Sequence, residues 1–90
     1  MPEASDYKNL INDIISKQIA ILGPDIVLLK AKNVGGLRVD ESGHVLSIDG
    51  DPQVVLEILI DEYIALSGQI VKNILGPVFA KYPQIKVTIK

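Results

Sequence analysis

The sequence predicts a small α+β domain: a kinked N-terminal helix, a β-hairpin, a long helix, and a C-terminal strand completing a small antiparallel sheet. Three observations carry this. Apolar residues recur at helical spacing from Leu10 to Leu22 and again from Val54 to Leu75. The period falls to two between Leu37 and Ile48 and once more from Ile85 to Lys90. Turn residues, Glu41-Ser42-Gly43 and Asp49-Gly50-Asp51-Pro52, separate these stretches. Ninety residues make a single domain, 1–90.

In the first helix, Leu10, Ile11, Ile14, Ile15, Ile19 and Leu22 share one side, while Lys8, Asn12, Asp13, Ser16 and Lys17 occupy much of the other. Ser5 suits the N-cap. Gly23-Pro24 interrupts the helix, because proline lacks the N–H that would bond back to Ala20 and its ring clashes with that turn. Proline is welcome as the first residue of a new helix, and Asp25 suits that helix's positive end. Asp25–Lys32 therefore reads as a second, offset helix ending at Asn33 with Gly35-Gly36 as its stop. A buried strand is the rival reading of so short an apolar run.

Leu37-Arg38-Val39-Asp40 alternates, Glu41-Ser42-Gly43 turns, and Val45-Leu46-Ser47-Ile48 returns, which is the pattern of a hairpin. Asp51-Pro52 then supplies a cap followed by a first-turn proline. The helix this starts runs to about Leu75. Val55, Leu56, Leu59, Ile60, Tyr63, Leu66, Ile70 and Ile74 form one wide face. Val54, Ile58 and Ala65 sit among the polar residues of the other. A second Ile-Leu-Gly-Pro, at 74–77, is expected to close this helix as the first, at 21–24, closes its own. Ile85-Lys86-Val87-Thr88-Ile89-Lys90 alternates as a final strand with one buried face.

Composition narrows the chemistry. The net charge is −2, and the nine basic residues, with Arg38 the sole arginine, form no run that would neutralise a phosphate backbone. No nucleic-acid partner is expected. There is no cysteine, which excludes disulfides, thiolate metal sites and thiol catalysis. Val54–Leu66 is too short and, with Glu57, Asp61 and Glu62, too charged to span a bilayer. Met1-Pro2-Glu3 does not resemble a leader's basic start. No membrane partner and a cytoplasmic location are the expectation.

The inventory for catalysis is poor. His44, the single histidine, follows a tight turn, where Ser42 and Asp40 do not converge as a triad. Asp49-Gly50-Asp51 resembles a fragment of a calcium loop without its further oxygens or closing glutamate. Gly35-Gly36 precedes a strand, the reverse of a phosphate-binding loop. No catalytic residue, metal ligand or cofactor is expected.

What stands out is the apolar content, 48% of residues with a mean hydropathy of +0.31. A chain this short buries only about 60–65% of its unfolded surface. The long helix is apolar more widely than one packing partner requires. The expected function is therefore non-catalytic protein interaction or oligomerisation, with a homodimer as its form. Val54, Ile58 and Ala65, or else the N-terminal helix, are the candidate interface, and Gly68, in the small pair Ser67-Gly68, marks either close helix approach or a mild bend. A small-ligand-binding or sensory domain with a pocket between helices and sheet is the alternative, and an enzyme ranks third.

Overall fold

A computed structural model describes residues 3–86. Its order is α1 (Ala4–Leu22), α2 (Pro24–Lys32), β1 (Leu37–Val39), β2 (Val45–Ile48), α3 (Pro52–Ser67) and α4 (Gln69–Ala80). The class is α+β, with α1 central: it packs against the other three helices and against β2.

Glu3, not Ser5, is the N-cap of α1, and its backbone N–H is received by the Asp6 carboxylate at 3.0 Å. Leu10, Ile11, Ile14 and Ile15 are fully buried, as their spacing predicts. The break after Leu22 is made by Gly23 at φ 86°, ψ 160°, a conformation that essentially only glycine adopts. Pro24 then opens α2 with Asp25 in its first turn. Asp25–Lys32 is therefore helix, and the strand alternative falls. Val27 and Ala31 face the core.

β1 and β2 pair antiparallel, Leu37 opposite Ile48 and Arg38 opposite Ser47. The register then steps, so that Val39 faces Val45 and Leu46 is left over, 58% exposed. At this irregularity the Asn12 side chain of α1 accepts the Val45 N–H at 2.7 Å. The Gly43 turn is pressed onto the helices: a Cβ there would lie 3.1 Å from both Ile15 and Ile19.

Asp51 caps α3 through Gln53 N–H at 2.9 Å, with Pro52 in the first turn. The long helix does not continue to Leu75. It stops at Gly68 (φ 58°, ψ −122°), and α4 begins at the next residue and folds back against α1 and α3. The turn divides the wide apolar surface between two helices. Val55, Leu56, Leu59, Ile60 and Tyr63 fill the core from α3, and Leu75 and Val78 from α4, while Leu66 is left 36% exposed.

The second Gly-Pro does not end its helix either. Pro77 lies inside α4, which continues to Ala80. Part of the clash that keeps a pre-proline residue out of helical geometry involves its Cβ, and Gly76 has none. Proline forfeits only the bond to Asn73, which is itself exposed, and Val78 beyond it is buried.

Among the described residues the sheet has two strands. Ile85 and Lys86, assigned by periodicity to a third, are not strand. Ile85 instead turns back, buried, with its N–H on the Tyr82 carbonyl at 3.0 Å. The rest of that expected strand, 87–90, lies outside the described residues.

Candidate functional site

Val54, Ile58 and Ala65 fall on a single stripe of α3, because steps of four and seven residues return to nearly the same angle. The stripe points away from the core. Val54 is 49% and Ile58 40% exposed, and Ala65 is exposed as well. Asp61, also exposed, lies on the same line between Ile58 and Ala65. Gly68 is not part of this stripe; it is the joint between α3 and α4.

The stripe borders α2. Lys30 Nζ lies 3.6 Å from Glu62 Oε2, and the buried Tyr63 hydroxyl donates to the Val27 carbonyl at 3.1 Å, so the two helices are fixed side by side. Burial pushes the Tyr63 phenol's pKa well above its ordinary value. α2 presents Leu29, 54% exposed, on the side opposite buried Val27, with Lys32 nearby. α3 itself, from Pro52 to Ser67, carries Glu57, Asp61 and Glu62 and no basic residue. Leu29 and Lys32 open with Asp25 and Leu28 onto a pocket that Glu41 of the hairpin turn completes, so the α3 stripe stands among its own carboxylates with Lys30 of α2 beside them.

The polar residues around the hairpin have structural duties. Asp40 Oδ1 accepts the backbone N–H groups of Ser42 and His44, each at 2.9 Å, and its Oδ2 lies 3.7 Å from His44 Nδ1. The His44 N–H is the main cause holding the Asp40 carboxyl below its usual value of 3.8, aided by the Ser42 N–H. Asp40 shapes the turn, and the His44 ring projects into solvent. Asp51 is the helix cap described above. No group of three or more His, Asp or Glu side chains converges to hold a metal ion among the described residues.

A groove of about 370 Å³ runs between α1 and the hairpin turn. Asn12, Asp13, Ser16, Ile19, Ser42 and His44 are among its walls. Beside it, the Tyr82 hydroxyl donates to Asp13 Oδ2 at 2.8 Å. Desolvation, together with the Asp13 carboxylate, pushes the Tyr82 phenol up to about 12.

Gln18 is the residue that a reading of the apolar pattern passes over. It is 1% exposed on the core side of α1, and neither its Oε1 nor its Nε2 has a hydrogen-bond partner among the described residues. The signal was present: position 18 is four residues from Ile14 and from Leu22 and seven from Ile11, squarely on the apolar face.

Compared with protein-family models, with curated proteins and with solved structures, the chain matches none.

Proposed function

We propose that the protein is a non-catalytic interaction module that pairs with a second copy of itself through the outer face of α2 and α3. The observation that carries this is the stripe Val54, Ile58 and Ala65, aligned and exposed along α3. Scattered apolar residues on a surface are ordinary, but an aligned stripe along one helix has the form of a docking face. The charges favour a second copy as the occupant. Glu57, Asp61 and Glu62 on α3 and Lys30 on α2 put both signs of charge along this face, so a two-fold axis laying α2 of one copy along α3 of the other sets cation against carboxylate. The cytoplasmic, cofactor-free setting expected from composition belongs to the same reading.

The test is sedimentation across a concentration series, with Ile58→Lys and Val54→Lys as variants. A dimer that both variants dissolve, with their helical circular dichroism unchanged, supports the proposal. A wild-type chain that stays monomeric at millimolar concentration sinks it.

The second reading, a small-ligand site, rests on the groove between α1 and the hairpin turn, which combines polar side chains with Ile15 and Ile19. A metabolite library screened by thermal shift tests it, with Ser16→Trp, which fills the groove, as control.

A further inference from the structure

The α3–α4 junction sets local preference against the folded arrangement. From Gln53 to Gly76 the sequence holds no proline, and its apolar periodicity is that of one continuous helix. The chain nevertheless breaks at one residue. Gly68 takes φ 58°, ψ −122°, and no loop separates α3 from α4. Helices that fold back on each other are ordinarily joined by about two to eight residues. A one-residue joint that helix propensity pulls straight is the kind of hinge that permits exchange between copies.

α3 starts beside the start of α1, where the Tyr7 hydroxyl donates to Gln53 Oε1 at 3.0 Å, and α4 returns to the middle of α1, where Tyr82 meets Asp13.

We propose that α4 is an exchangeable arm: α3 and α4 join into one helix through Gly68, and α4 of each copy docks on α1 of the other. The proposal is independent of the α3 stripe. Leu75, Val78 and the Tyr82–Asp13 contact are remade between chains, so the exchanged dimer keeps the same core contacts and relaxes only the joint.

The chain has no cysteine, so an Asp13→Cys, Tyr82→Cys double variant carries a single thiol pair. It is treated with a short bismaleimide that spans the contact, and its monomer and dimer fractions are run on denaturing gels. The tether is lost equally in both forms. Exchange predicts links between chains in the dimer fraction. Adding Gly68→Ala is expected to raise the between-chain share at least about fivefold, following alanine's advantage over glycine in a helix. Links confined to single chains in a dimer would overturn the exchange while leaving the α3-face dimer standing. A chain that stays monomeric with either residue at position 68 overturns both.

Discussion

Gly36 and Asp49 lie back to back across the open end of the hairpin. The Asp49 N–H donates to the Gly36 carbonyl at 2.6 Å, and a Cβ on Gly36 would fall 2.5 Å from the Asp49 carbonyl oxygen. Gly36 also holds φ 86°, outside the range an L side chain takes comfortably. Position 36 thus admits only glycine, on two separate grounds. Gly50 separates them, since it has φ 83° but open space around it. Gly50→Ala is expected to cost about 1–2 kcal/mol from conformation alone. Gly36→Ala adds a collision with rigid backbone, for roughly 2–5 kcal/mol in total. Urea midpoints of the two variants measure the difference; equal losses would show that the approach to Asp49 carries no cost.

The Tyr82–Asp13 contact predicts an alkaline limit to stability. The Tyr82 phenol rises from 10.0 to about 12 on folding. A raised pKa means that the protonated form is favoured in the native state. That contribution is complete below pH 10 and is lost as pH climbs through about 12. Tyr82→Phe should remove this dependence and cost about 1 kcal/mol at neutral pH for the lost hydrogen bond. Titration of the tyrosine ring carbons by NMR, with the variant as assignment control, checks it. A Tyr82 midpoint near 10 would refute the contact.

Asp40 gives the opposite limb. Its carboxyl sits below 3.8 because it accepts the His44 and Ser42 N–H groups. Stability from this source is complete above pH 3.8 and fades as pH falls through the lower native value. Asp40→Ala should flatten that part of the acid limb and loosen the turn, with faster amide exchange at Ser42 and His44. Unchanged exchange at both amides would show that the carboxylate does not hold the turn.

The first 67 residues were largely legible in the sequence, and the remainder was not. Gly23-Pro24, the hairpin and Asp51-Pro52 are set by local chemistry: a backbone conformation confined to glycine, a turn, a capping carboxylate. Their elements lie where those residues put them. At Gly68 and Pro77 the outcome depends on packing, which local sequence does not carry. Nothing near position 68 signals a break except glycine itself, and the helix ends there because α4 gains more by covering α1 and α3 than α3 gains by continuing. At Pro77, burial of Val78 keeps the helix going past a residue that elsewhere in the same chain stops one. The stripe Val54, Ile58 and Ala65 could be found from periodicity alone. The groove beside Asn12 could not, since it joins residues 12–19 to 42–44 across the fold.

Gln18 offers a direct measure of what an unpaired amide costs in this core. Its side chain is unbranched and close to methionine in length and shape, so Gln18→Met exchanges the amide for a thioether with little change of packing. Leaving a buried donor and acceptor unsatisfied costs about 1–3 kcal/mol, and the substitution abolishes that penalty while adding apolar contact. The variant should therefore be more stable by about 1–3 kcal/mol, seen as a higher urea midpoint at unchanged slope. A polar-to-apolar change in a well-satisfied site would act in the opposite sense. Loss of stability in Gln18→Met would mean that the amide is hydrogen-bonded in solution.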